Sequence, residues 1–140
     1  MADTFEIEIA TPERLLGREK AVRAQIPAKD GYIGVLPDHA ALLSQLGSGA
    51  LTYTTPEDHR FSLAISGGFV EINDNVVRVL SDVAEKGQEI DVSRAEKALK
   101  RAQDAMGNPA LGIDIASALG AALRAQARID AARKAANKEE

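Results

Sequence analysis

The chain has 140 residues, 45% apolar and 27% charged, a composition that suits a soluble globular protein of one ordinary domain or two small ones. It contains no cysteine, which excludes disulfide staples, thiolate metal sites and thiol catalysis together. The net charge of −4 is uneven: residues 1–84 carry seven basic against twelve acidic side chains, and an acidic front half argues against a nucleic-acid binder, which needs a clustered basic face.

The opening "MADTFEIEIA" is acidic and alternating, unlike a signal or transit peptide. No apolar run approaches the roughly 20 residues that span a bilayer, so membrane association is expected only through a partner. From residue 4 to about 84 the apolar residues recur with period two. Phe5, Ile7 and Ile9 form one face, and Val22, Ala24 and Ile26 repeat the pattern, as do Phe61, Leu63 and Ile65. Turn chemistry separates the runs at Thr11-Pro12, Lys29-Asp30-Gly31, Gly47-Ser48-Gly49, Thr55 to Asp58 and Ser66-Gly67-Gly68. "FVEINDNVVRVL" reads as a hairpin turning at Asn73-Asp74-Asn75. Many short strands with no helix-length insert indicate an antiparallel sandwich or flattened barrel over residues 1–86.

The period then changes. Val92, Ala95, Leu99, Ala102 and Met106 step by three and four, a helical stripe with Asp91 as N-cap. Gly107 and Pro109 stop this helix, and a second, capped by Asp114, is expected to turn Ile115, Leu119, Ala122, Gln126 and Ile129 inward. The short loop favours an antiparallel hairpin over residues 87–140. Fifteen alanines in residues 91–140 promote helix but bury little area, so the hairpin is expected to form readily and dock weakly.

Enzyme chemistry finds little material. There is no GxSxG elbow, no phosphate loop, and neither His39 nor His59 has metal-ligand spacing, so no catalytic residue and no metal site is assigned. His39, in "DGYIGVLPDHAALL", reads as a turn, packing or docking residue, and His59 as a loop residue. Alternation assigns about half of Ile33, Val35, Leu36 and Leu42 to the core.

Three stretches in order carry a resemblance: "GREKAVRAQIPAKDGYIGVLPDHAALLSQLGSGAL", "LAISGGFVEINDNVVRVLSDVAE", and a helical hairpin opening with "IDVSRA". Together they resemble the epsilon-subunit family of bacterial F-type ATP synthases, over essentially the whole chain. Ala41 departs from the Pro that the family often has after its His-Ala pair. The resemblance implies a ten-stranded β-sandwich followed by a two-helix hairpin, with no catalytic activity of its own. It implies a rotor part that clamps the gamma shaft and rests on the c-ring of a proton-translocating synthase. Its place would be the cytoplasmic face of the bacterial plasma membrane, reached only through the complex. Tyr32 and the segment His39, Ala40, Ala41, Leu42 and Leu43 match the family's docking surface.

The same resemblance implies a switch. Folded down, the hairpin leaves the enzyme free; extended, it enters the alpha/beta head and blocks ATP hydrolysis. It also implies no obligatory cofactor and an optional regulatory ATP held in the down state, through Glu85, Ile90, Asp91, Arg94, Ala95, Arg101, Arg124 and Arg128. Arg94 and Arg101 are seven apart and Arg124 and Arg128 four apart, so each pair shares a helix face. The plainer reading makes Asp91 a cap and the arginines solvated or paired with Glu96 and Asp130. Two rival classes are a free-standing nucleotide-sensing module and a small enzyme using His39 as base.

Overall fold

Alternating strands with one apolar face must bury it against another layer, and that is what the first half of the chain does. A computed structural model describes residues 2–108 and 114–137, so the expected stop at Pro109 lies outside the described residues. The strands are β1 (Phe5–Ala10), β2 (Leu15–Ala21), β3 (Arg23–Ala28), β4 (Gly31–Val35), β5 (Leu42–Gln45), β6 (Ser48–Thr54), β7 (Arg60–Asn73) and β8 (Val76–Lys86). A single 3-10 turn, Gly87–Glu89, leads to α1 (Val92–Met106) and α2 (Ile115–Ala136).

The pairing order is β2-β1-β8-β7-β6-β3-β4, with β5 added to β7. Strands β7 and β8 are long and serve two layers. The first part of β7 pairs with β6 and its last part with β5, while β8 follows it from Leu63 to Asn73. Eight continuous strands thereby give the ten strand segments of the expected sandwich. The bend falls at Gly67-Gly68, with φ of 72° and 96°. A Cβ on Gly68 would lie 2.0 Å from the carbonyl oxygen of Leu80, so only glycine lets the two strands cross the corner this closely.

The pairing is antiparallel except between β1 and β8, where Ile7 faces Val77 in a parallel register. Parallel neighbours need a long crossover, and here the whole second layer supplies it. The β7–β8 hairpin turns on Asp74 and Asn75, both with positive φ, as a tight hairpin requires.

One core fills the space between the layers. It includes Phe5, Ile7 and Ile9, Ala24 and Ile26, Leu51, Leu63 and Ile65, and Val70, Ile72, Val77 and Val79, all buried. The expected alternation is therefore realised, with local exceptions. Val22 lies in a bend between β2 and β3 and is half-buried, and Phe61 sits at the mouth of the sandwich, 39% exposed.

The hairpin joins this sandwich through a second, smaller cluster. Ala127 and Ala131 of α2 meet Ala50 of β6 and Ala64 of β7, with Ile90 against them. Helix α1 packs on α2, and α2 packs on the sheet. Methyl side chains allow close approach but contribute only roughly 0.8 kcal/mol per buried carbon.

The inward stripe expected for α2 is corrected. Ala122 and Ile129 are buried, but Ile115, Leu119 and Gln126 are exposed, and the buried face is instead Ala118, Ala122, Ala125 and Ile129 toward α1. Alanine on the buried face lets two helices pack closely, whereas a stripe of larger residues would hold them further apart. Helix α1 keeps most of its expected face, with Ala95 and Ala102 buried and Leu99 and Met106 half-buried, but Val92 at its start is exposed.

Candidate functional site

Two regions of the sequence carry candidate residues: the β4–β5 connection, and the flank of the hairpin next to the end of β8. In the β4–β5 connection Pro37, with its fixed φ, precedes Asp38, which is in a left-handed conformation at φ 64°. Asp38 is held there by Asn75. The Asp38 backbone N–H donates to Asn75 Oδ1 at 2.6 Å, and Asn75 Nδ2 donates back to Asp38 Oδ1 at 2.9 Å. The Ala2 amide adds a third bond, to Asp38 Oδ2 at 3.0 Å. These donors, the Asn75 amide first, hold the Asp38 carboxyl below the usual carboxylate range.

His39 follows this clasp with its backbone N–H bonded to the Leu36 carbonyl and its Nδ1 against the Ala40 carbonyl oxygen at 2.7 Å. The imidazole is thus spent on a turn. Leu36 and Leu43 are exposed beside it, 63% and 69%, whereas Val35 is buried and Ile33 and Leu42 pack on the core. Ala40 and Ala41 are exposed. Tyr32 does not join this group. It sits near the opposite end of β4, and its hydroxyl accepts from the Ala50 amide at 3.1 Å.

The hairpin flank gathers the other set. Asp91 caps α1, accepting from the Arg94 amide at 3.1 Å, and Asp114 caps α2 through the Ala116 amide. Ile90 packs under α2 and Ala95 is buried in the α1–α2 seam, so both have packing roles. At 3.6 residues per turn, Arg94 and Arg101 fall about a quarter turn or slightly more to one side of the Ala95–Ala102 seam. Arg124 and Arg128 fall on the same side of α2, because the helices run antiparallel.

Glu85, at the end of β8, borders that side: Arg128 Nε donates to its Oε1 at 2.7 Å. Arg94, Arg101 and Arg124 have no ion pair among the described residues. The expected pairing with Asp130 does not occur, since Asp130 accepts from Gln126 instead, at 2.9 Å. Ile115, Leu119 and Leu123 occupy the opposite flank of α2, each about half exposed.

Some residues that hold these regions in place were not singled out from sequence. Ser62 donates to the Ala131 carbonyl at 2.6 Å in a buried bond. Gly87 lies directly under α2, where an added Cβ would be 2.4 Å from the Ala131 carbonyl oxygen and 2.6 Å from Ser62 Oγ. The Ser and Gly had no local signal, because their partner is 44 to 69 positions away in the chain. Asn75 was legible as a turn residue but not as the clasp on Asp38. Among the described residues no group of three or more His, Cys, Asp or Glu side chains is placed to hold a metal ion. No helix among them is long and apolar enough to cross a membrane.

Comparison with known proteins matches this two-part arrangement. A family model for the ATP synthase, Delta/Epsilon chain, beta-sandwich domain matches residues 4–87, and one for the long alpha-helix domain of the same chain matches residues 88–133. The ATP synthase epsilon chain of Solibacter usitatus is 52% identical over 134 residues, covering 96% of this chain and 99% of that one. The ATP synthase epsilon chain of Desulfitobacterium hafniense strain Y51 is 41% identical over 133 residues, covering 95% and 99%. A chain from the Euglena gracilis mitochondrial ATP synthase (OSCP/F1/c-ring, rotational state 1) shares the fold with a TM-score of 0.73 at 23% identity, covering 97% of this chain and 83% of that one. With both halves of the chain matched in order and the relatives spanned almost end to end, the chain belongs to the ATP synthase delta/epsilon family.

Proposed function

We propose that this chain is a non-catalytic rotor subunit of a proton-translocating ATP synthase, joining the gamma shaft to the c-ring at the cytoplasmic face of a bacterial plasma membrane. The carrying observation is the near full-length likeness to epsilon chains at 52% and 41% identity. The physical build suits the role. A paired-strand sandwich with one close-packed core transmits torque with little deformation. Leu36, Ala40 and Ala41 of the loop and Leu43 at the start of β5 present exposed apolar groups beside a backbone pinned by Asp38 and Asn75. The free-standing sensor leaves that loop without a use, and the Nδ1 of a His39 base is taken up by the Ala40 carbonyl oxygen.

Regulation belongs to the hairpin. It is docked through alanine methyl groups, one buried hydroxyl bond and one partly exposed ion pair, the kind of attachment that opens at low cost. Extended, it would reach the alpha/beta head. ATP would hold it down, its phosphates neutralising Arg94, Arg101 and Arg124, which lie on one flank with no counter-ion among the described residues. A ligand selective for the docked state at a hundredfold excess over its Kd shifts the balance by about 2.7 kcal/mol.

Two experiments test this. The chain should co-purify with a gamma subunit and c-ring when expressed together, and failure to assemble with either removes the rotor assignment. In the assembled complex, deleting residues 87–140 should raise ATP hydrolysis while synthesis persists. Unchanged hydrolysis would remove the regulatory role and leave the rotor role standing.

A further inference from the structure

At the end of the sandwich away from the Asp38 clasp, the two layers part to leave a cavity of about 330 Å³, a size that suits a small organic ligand. Its floor is apolar and continuous with the core: Ile9, Leu16 and Leu63. One wall is Tyr53 stacked on Phe61, ring centroids 5.1 Å apart. Ala135 of α2, with Gly87 and Gln88, forms the opposite wall, so the cavity is complete only while the hairpin is docked.

The opening carries two carboxylates, Glu19 and Asp58, and two cations, Arg60 and Lys86, but they are unevenly partnered. Glu19 accepts the Tyr53 hydroxyl, and Arg23 approaches Asp58 at 3.9 Å, so both acidic groups have partners. Arg60 and Lys86 also line the cavity and have no ion pair among the described residues. Burial, and then Glu19, push the Tyr53 phenol upward, so the wall stays neutral at ordinary pH. An apolar floor, an aromatic wall and two unspent cations at the mouth define a ligand with a flat apolar body and one anionic group.

We propose that this cavity is a binding site for a small aromatic anion, separate from the arginine flank of the hairpin, and that its occupation holds α2 against the sandwich. The anion would face Arg60 and Lys86, and the ring would lie along Phe61 above Leu16 and Leu63. Because Ala135 is part of the wall, a bound ligand favours the docked state by mass action.

The test uses the full chain and naphthalene-2-sulfonate as probe, followed by backbone amide shifts. Saturable shifts are expected at Phe61, Ser62, Gly87 and Gln88, with slower hydrogen exchange along α2. Arg60→Met and Lys86→Met should each weaken binding about tenfold, the loss of one charge-assisted contact, while the Ile65 and Val79 amides report an intact core. Neutral 2-methoxynaphthalene on the unaltered chain should bind at least tenfold more weakly, a comparison that needs no variant. The proposal is overturned by no saturable shift at millimolar probe, by shifts confined to the Ile115, Leu119 and Leu123 face, by equal binding of the neutral compound, or by α2 exchange that ignores the probe.

Discussion

The Ser62 hydroxyl donates to the Ala131 carbonyl oxygen at 2.6 Å, a buried bond that ties the start of β7 to the last part of α2. Gly87 lies beside it with no room for a side chain. Ser62→Ala should therefore loosen docking by about 1 kcal/mol, the net worth of one hydrogen bond. Gly87→Ala should do more, because the Ala131 carbonyl must move. In both variants hydrogen exchange should quicken along α2 while the Val77 and Val79 amides keep their protection. Equal loss in helix and core would show that the hairpin and sandwich unfold as one unit.

Arg128 and Glu85 form a second tie, partly open to water. A pair of that exposure contributes about 0.5 kcal/mol and weakens with salt. Arg128→Met should raise α2 exchange slightly at low ionic strength and hardly at all in 1 M salt, where screening is nearly complete. A deficit as large in high salt would assign the effect to packing of the arginine stem.

For the proposed nucleotide site, Arg94→Ala should weaken ATP binding by roughly tenfold or more, since a charge-assisted contact to phosphate is lost. Glu96→Ala, on the same exposed helix, should not. Calorimetry on the full chain reads both. Equal effects would point to general loss of helix stability, and no heat at millimolar ATP would end the nucleotide reading.

Acid should release the clasp on the β4–β5 connection. Asp38 has a carboxyl pKa lowered by Asn75 and Ala2, so its contribution is complete at and above the ordinary carboxylate range and disappears as pH falls through the lowered value. The His39 and Asn75 amide shifts should follow that titration. Asn75→Gly keeps a residue that tolerates φ of 59° but removes the side chain, and should abolish most of the dependence. An unaltered titration in that variant would assign the shift to another group.

Much of the fold could be read along the chain. The alternation of Phe5, Ile7 and Ile9, or of Leu63 and Ile65, needs only local geometry to mean a buried strand face, and Asp91 and Asp114 cap their helices through neighbours two or three residues away. The bend at Gly67-Gly68 was visible as turn chemistry, but that β7 continues through it was not. A positive φ marks a corner without saying whether the ladder resumes beyond it.

The α2 face shows the limit most clearly. Ile115 and Leu119 are the apolar choices on hydropathy, yet Ala118 and Ala125 are buried in their place beside the expected Ala122, because the distance between two helices is set by both surfaces at once. The candidate sites depend on the same kind of meeting. Local order in the chain settles which segments become strand or helix, where they stop and which residues cap them, since those preferences act over a few neighbours. Which side chains meet across the folded molecule is a different matter: Arg128 at Glu85, Ser62 under Ala131, Asn75 on Asp38 and the open mouth beside Lys86 come from close packing of segments remote in sequence. No local periodicity encodes those contacts.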